Sequence, residues 1–186
     1  MTTPYAILSH TWEDEEVSFY EMADRSPSVT WKKGYRKILD FCRIAAQQGY
    51  VWAWVDTCCI DKTNHAELTE SINSMFRWYQ EAATCYVFLS DLPSDAELKT
   101  ALPGCRWFTR GWTLQELLAP TTVKLYDRDW VMRGTKTKLA TELSDITGIP
   151  KRVLNGVVPL HEVSVGTRMS RADNRERTGL FSARYL

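Results

Sequence analysis

The residues with the greatest capacity for chemistry lie in CRWFTRGWTLQELLAP, residues 105–120, where Arg106, Trp107, Arg110, Trp112 and Glu116 fall within about three helical turns. Trp112 and Glu116 are four residues apart, so on a helix they share one face. A carboxylate beside an indole can stabilise positive charge developing on a ribose while the ring stacks on a base, and an arginine can pair with phosphates. The run from Thr113 to Glu116 also has the form of a capping box, which would make the glutamate a helix-start device. Spacing leaves both readings open. For Trp107 and Trp112 a core anchor between helix and sheet is the favoured reading.

Other candidates follow apolar runs. His10, in YAILSHTW, is a candidate acid, base or hydrogen-bond donor, although a single histidine beside a serine is more often a satisfied structural residue. In DTCCID, residues 56–61, Asp56 and Asp61 could ligate a divalent cation. Loop aspartates bonding nearby backbone amides are the preferred account. Three scattered histidines and a Cys-Cys pair do not give zinc spacing, and no metal is expected. Cys59 as a nucleophile would need a base and a lowered pKa, and the sequence shows neither. Neither GxGxxG nor GxxxxGK[ST] is present, so a nucleotide would have to be held in another way. Glu13, Asp14, Glu15 and Glu16 read as a solvated face or the rim of a site.

These residues need elements to position them. YAILS, residues 5–9, reads as a buried strand ending in the Ser9–Trp12 cluster. Tyr35, Ile38, Cys42 and Ala45 recur at spacings of three and four, predicting an amphipathic helix within 31–48 that stops at Gly49. YVWAWVD, residues 50–56, is apolar on both faces, as for a central strand. Asn64 and Glu67 have capping-box form before a helical stripe through Leu68, Ile72, Met75, Tyr79 and Ala82. TCYVFLSD, residues 84–91, predicts a third strand, residues 109–119 a helix, TVKLYD, residues 122–127, a fourth strand, and Leu139, Leu143 and Ile146 a last helix ended by Gly148. The β-α alternation predicts an α/β fold: a parallel sheet with helices on both faces. In such a sheet ligands bind beyond the carboxyl ends of the strands, which points to Ser9, His10 and Trp12 after the first strand, Asp56 to Asp61 after the second, Ser90 and Asp91 after the third, and Asp127 to Trp130 after the fourth.

Composition sets limits. The 186 residues carry 23 Lys+Arg against 23 Asp+Glu, which argues against disorder and against nucleic-acid binding by bulk charge. No apolar run approaches a membrane span and no basic segment precedes a signal-like stretch, so the chain reads as cytoplasmic. Five cysteines, an odd number mostly in apolar surroundings, read as buried free thiols. Eight tryptophans exceed what a core of this size requires, which leaves some for a ligand or partner. The neutral total conceals a polarity. Six acids stand against Arg25 in the first thirty residues, and five arginines against two acids from Gly166 onward. Head-to-tail association of subunits, or a tail folding back on its own head, would both use that asymmetry.

Taken together, AILSHTW, VWAWVDTCCIDK, ELTESINSMFRWYQEAATCYVFLSD, RWFTRGWTLQELLAP and YDRDW closely resemble the fungal heterokaryon incompatibility (HET) domain, from about Tyr5 to about Ser170. The resemblance implies an intracellular domain tied to programmed cell death after non-self recognition, often the effector of a larger sensor protein, acting on assembly. The HET domain is in turn similar to TIR domains, which implies a TIR-like (flavodoxin-like) sheet. Trp112, Thr113 and Glu116 fall on the TIR motif Trp-Cys-x-x-Glu, with Thr113 replacing its cysteine. Enzymatic TIR domains cleave nicotinamide from NAD with that glutamate. The resemblance therefore implies Glu116 as the catalytic carboxylate, NAD or a related nucleotide as substrate rather than cofactor, Ser9, His10 and Trp12 lining the cleft with Trp112, Asp56 and Asp61 as substrate-binding residues flanking the loop after the second strand, and Arg110 meeting phosphates.

The expected domain covers residues 1–165, followed by an Arg-rich tail, 166–186, partly ordered at best; the HET pattern breaks after Ser170, short of the family's full domain. Two alternatives stand beside the nucleotide-cleaving effector. One is a non-enzymatic module that signals by self-association. The other is a divalent-metal hydrolase or nuclease built on Asp56, Asp61 and Glu116.

Overall fold

A computed structural model describes residues 3–158. The expected tail, and with it the expected boundary at residue 165, lies outside the described residues.

The first strand, β1 (Tyr5–His10), has no exposed residue, as its apolar sequence requires. Two short helices, α1 (Phe19–Asp24) and α2 (Pro27–Thr30), precede the expected amphipathic helix α3 (Lys33–Gln47). The short pair carries no long apolar period, so periodicity alone does not predict it. Ser18 caps α1 through a reciprocal capping box with Glu21. Helix α3 buries Ile38, Phe41 and Ala45 on one stripe.

The second strand, β2 (Trp52–Trp54), is three residues long and lies at the sheet edge, not its centre. Val51 is 87% exposed and Trp52 61%, while Trp54 packs on Trp78 with ring centroids 5.3 Å apart. The apolar character of YVWAWVD therefore overstates its burial: one flank meets the core and the other meets solvent.

Helix α4 (His65–Glu81) starts at Asn64, whose side chain accepts from the amides of Ala66 and Glu67. Glu67 does not return the bond to Asn64; its carboxylate accepts from the Asp61 amide at 3.0 Å and ties the preceding loop to the helix. The third strand, β3 (Thr84–Phe88), is buried throughout, and β4 (Val123–Tyr126) pairs beside it. Between them lie α5 (Leu98–Ala101), turns of 3-10 helix at Leu102–Gly104 and Arg106–Thr109, and α6 (Thr113–Leu118). A fifth strand, β5 (Met132–Thr135), runs antiparallel to β4 and closes the other edge. It was not expected, because MRGT has neither the length nor the alternation of a strand. Helices α7 (Ala140–Thr147) and α8 (Lys151–Leu154) follow, with Gly148 in the left-handed conformation at the end of α7.

The strand order is β2-β1-β3-β4-β5, the doubly wound order of flavodoxin-like folds, with four parallel strands and one antiparallel. Strand side chains divide between two layers. Ile7, Cys85, Val87, Val123 and Leu125 meet Tyr79 of α4, Leu117 of α6 and Leu143 of α7. Ala6, Leu8, Tyr86, Phe88 and Tyr126 meet Ile38 and Phe41 of α3. Each fully buried Leu, Ile or Phe contributes about 1.5–3 kcal/mol, so the two layers set the sheet firmly between its helices. Among the described residues no helix is long and apolar enough to cross a membrane.

Candidate active site

The sheet order reverses at β1, whose neighbours β2 and β3 lie on opposite sides, and a ligand crevice is expected beyond the carboxyl ends of the strands at such a point. Ser9 and His10 end β1 there, and both are buried. Trp12 continues the chain outward, 44% exposed.

Glu116 reaches this point from α6. Its carboxylate accepts a hydrogen bond from the Ser9 hydroxyl, and the Ser9 oxygen accepts from the Trp107 indole N–H at 2.8 Å. This relay decides between the two readings of the glutamate. Trp112 occupies the N-cap position of α6 without a side-chain cap bond, and Thr113 donates instead to the Arg110 carbonyl at 2.7 Å. Glu116 therefore closes no capping box. The carboxyl faces a cleft although it is only 9% exposed. Burial, reinforced by the negative charge of Asp56, pushes it up to about 8, against the opposing pull of the Ser9 hydroxyl and Arg110. Buried Lys136 holds the helix in place by donating to the carbonyls of Leu117 at 3.2 Å and Pro120 at 2.5 Å, just past Glu116.

Asp56 forms the opposite wall. Its oxygens accept from Trp12 Nε1 at 2.8 Å and meet His10 Nε2 at 3.1 Å. Burial would raise its pKa, but the hydrogen bonds from His10 and Trp12 and the Lys62 charge outweigh it and hold the carboxyl below the usual range. The other ring nitrogen of His10 is 2.8 Å from Lys37 Nζ. An ammonium only donates, so Nδ1 is the acceptor and the ring proton sits on Nε2, directed at Asp56. Lys37 also bonds Glu16 at 2.5 Å, which makes a chain Glu16–Lys37–His10–Asp56–Trp12, buried at Lys37 and His10 and reaching the surface at Trp12. Lys62 places its ammonium 3.8 Å from the centroid of the Trp12 ring.

The cleft encloses about 320 Å³ between these polar walls and an apolar side made by Leu68, Ile72 and Met75 of α4. Arg110 and Trp112 line it with Glu116. A second cavity, about 580 Å³, opens on the other side of Trp12 and is lined by Glu16, Lys37, Arg106 and Trp130 among others. The volume of the first and its few convergent polar groups suit a small-molecule site.

Of the residues proposed from sequence, Ser9, His10, Trp12, Asp56, Arg110, Trp112 and Glu116 converge; Asp61 does not. Its carboxylate accepts from Tyr20 Oη at 2.6 Å and from Thr63 Oγ1 at 2.7 Å, in a separate hollow beside α1. Asp61 thus plays the part preferred for loop aspartates, bonding the Thr63 amide at 2.9 Å. Among the described residues no group of three His, Cys, Asp or Glu side chains is placed to hold a metal ion. Trp107 has a second role at the site, and Lys37 and Lys62 have none in the sequence reading. Trp107 is a core anchor as expected, but also the donor to Ser9. Lys37 sits on the buried stripe of α3, where a lysine among apolar positions is the available signal. Lys62 has no signal beyond adjacency to Asp61. Three of the six acids of the head are paired internally: Glu13 with Arg106, Glu16 with Lys37 and Glu21 with Lys32.

Comparison with known proteins bears on what this cleft does. The family model described as "Heterokaryon incompatibility protein (HET)" matches residues 5–103, which include Ser9, His10, Trp12 and Asp56. The chain is also 48% identical over 185 residues to the "Vegetative incompatibility protein HET-E-1" of Podospora anserina, an alignment spanning 94% of this chain and 13% of that protein. The chain thus spans about an eighth of the length of that curated relative. No solved structure matches it significantly.

Proposed function

The chain belongs to the heterokaryon incompatibility (HET) family, and from that premise we propose that it is an effector domain of fungal non-self recognition that cleaves the nicotinamide–ribose bond of NAD or a related nucleotide. The observation that carries this reading is Glu116: a buried carboxyl, aimed into a cleft at the reversal point of the sheet and linked to Ser9 and Trp107 rather than to its own helix. The likeness of the Trp112–Glu116 segment to the TIR motif supports it.

The chemistry asked of the site is simple. As the bond between ribose C1′ and the nicotinamide nitrogen breaks, its electron pair leaves with the ring, which departs neutral, and positive charge develops on the ribose. A carboxylate held beside C1′ in a dry cleft stabilises that charge far better than water would. Water then adds at C1′ and gives up a proton to the carboxylate or to solvent. Burial of Glu116 favours its protonated form. The cationic nicotinamide ring of the substrate, together with Arg110, favours ionisation as the complex forms. Trp112 and Trp12 offer faces for the ring, Asp56 fixes the Trp12 edge, and the remainder of a dinucleotide extends past Trp12 toward the larger cavity.

Incubation of the purified chain with NAD, ATP and nucleic acid, with and without chelator, and identification of products by mass tests the reading. Nicotinamide and ADP-ribose from NAD, unaffected by chelator, support it. Products that chelator suppresses indicate the metal-dependent hydrolase. No product from any substrate, with cell killing unchanged by Glu116→Gln, indicates a non-enzymatic module.

A second reading, compatible with the first, is self-association. Among the described residues the edge strand β2 has a partner on one side only, and exposed Trp52 begins it directly after exposed Val51, an arrangement that other strands can extend. Clustering through this edge would bring domains together, and a sensor protein or domain could drive it.

A further inference from the structure

We propose that the larger cavity beside Trp12 seats an adenine nucleotide, with the Trp130 indole as the face on which the purine lies. Trp130 has a backbone that tryptophan seldom adopts. Among the described residues only two besides glycine have a positive φ, Arg25 at 50° and Trp130 at 60°. Arg25 closes α1, a place where that conformation is ordinary. Trp130 closes no helix. It stands in the five-residue connection between β4 and β5, at a left-handed position where hairpins favour glycine because a bulky side chain is crowded there.

The turn is built to hold this strain. The carboxylate of Asp127, fully buried, accepts from the Asp129 amide at 3.1 Å and the Val131 amide at 2.9 Å, and pairs with Arg133 at 3.2 Å. The Asp127 carbonyl accepts from the Trp130 amide at 3.0 Å. The indole is laid along Phe88 at the end of β3, with ring centroids 4.5 Å apart and planes 21° apart. Both rings line the cavity, and Trp130 is half-buried. A bulky residue kept in a strained conformation by its surroundings is the mark of a ligand site, since a turn that needed only to close would take glycine.

The remaining walls select a nucleotide among flat ligands. An indole face stacks on a base, and a purine offers the larger surface. Arg106 and Arg128 line the same cavity, each with more than half of its side chain exposed. Their partners, Glu13 and Asp91 for the first and Asp129 for the second, lie at or near the surface. Exposed ion pairs hold weakly, so a phosphate can take over either guanidinium. Asp14, also on the wall, offers an acceptor for ribose hydroxyls. The cavity holds about 580 Å³, within the range of small-molecule sites, and shares Trp12 with the Glu116 cleft. A nucleoside seated there is the distal half of a dinucleotide substrate, an identification that rests on the NAD reading; the cavity itself stands on Trp130.

Calorimetry of AMP binding to the full chain, with CMP and ribose 5-phosphate alongside, tests the site without any need for cleavage. AMP should bind saturably, CMP more weakly and ribose 5-phosphate weakest. Trp130→Gly, which suits the turn, should lose AMP affinity about tenfold or more, and Trp130→Phe, which keeps a ring, should stay within about threefold. If a variant fails to fold, NMR of the wild type decides: AMP should shift the Trp130 indole resonance and leave that of Trp52, on the β2 edge, unmoved. Nicotinamide release separates the sources of the nucleotide. Competition of AMP with NAD, and a KM raised in Trp130→Gly for NAD but not for nicotinamide mononucleotide, assign the cavity to the substrate. AMP bound through Trp130 without effect on release assigns it to a free nucleotide, and the same binding by a chain that releases no nicotinamide removes the NAD reading while the site stands. No saturable AMP binding, equal binding of the three compounds, or equal AMP affinity in wild type and Trp130→Gly would overturn the proposal.

Discussion

Glu116 holds a carboxyl in a place where ionisation is costly, and that cost is measurable. Its folded pKa, about 8, lies above the ordinary 4.5, so the folded state binds the proton more tightly. Stability from this group is therefore full below about pH 4.5 and is lost as pH rises toward 8. Glu116→Gln removes the loss and keeps the shape. The expected outcome at pH 8 is a melting temperature equal to or above wild type, by a stabilisation on the order of 1 kcal/mol, with the difference vanishing near pH 4. A helix-start glutamate would show the opposite sign.

The same pKa sets an activity profile. If the ionised carboxylate stabilises the ribose cation, kcat/KM for NAD rises with pH through about 8 and levels off above it. Ser9→Ala removes a hydrogen bond that favours ionisation, so the rise should move to higher pH. A pH–rate series on both proteins checks this; a flat profile, or a shift to lower pH in Ser9→Ala, would contradict it.

At the scale of elements, the site depends on a close approach between α3 and the acidic segment after β1. A Cβ on Gly34 would lie 2.5 Å from the Glu15 carbonyl oxygen, so no side chain fits without moving backbone. Gly34→Ala should cost about 1–3 kcal/mol and displace Glu16 from Lys37, which a lowered melting temperature and shifted His10 resonances would report. The elements also show which parts of the fold were legible. Helices α3, α4 and α7 announce themselves because each carries apolar residues at helical spacing on the face turned to the core or cleft, and β1, β3 and β4 because their apolar runs are buried. Strand β2 misled, since YVWAWVD has the composition of a central strand, and a sheet position depends on partners far away in sequence. Strand β5 was illegible because MRGT earns its place by pairing with β4 rather than by its own pattern. At the site, Glu116 could be named but not distinguished from a cap, because the deciding contact is with Ser9, 107 residues away.

At the scale of the molecule, neutral net charge conceals an acidic head in which Glu13, Glu16 and Glu21 are engaged by the domain's own Arg106, Lys37 and Lys32. That internal pairing leaves the exposed β2 edge as the better candidate for contact between subunits. Trp52→Lys should lower self-association measured by light scattering at high protein concentration, leave the melting temperature within about 0.5 kcal/mol of wild type, and reduce any activity that depends on clustering. Unchanged association would remove β2 from consideration.

The central claim is that Glu116 acts on a substrate and does not merely complete a fold. Its most direct test is nicotinamide release from NAD by concentrated wild-type chain and by Glu116→Gln, with melting temperatures recorded on the same samples. Catalysis by Glu116 predicts release by wild type, a loss of about a hundredfold or more in the variant, and no loss of thermal stability. Equal release by both proteins, or an inactive wild type beside an unfolded variant, would contradict it.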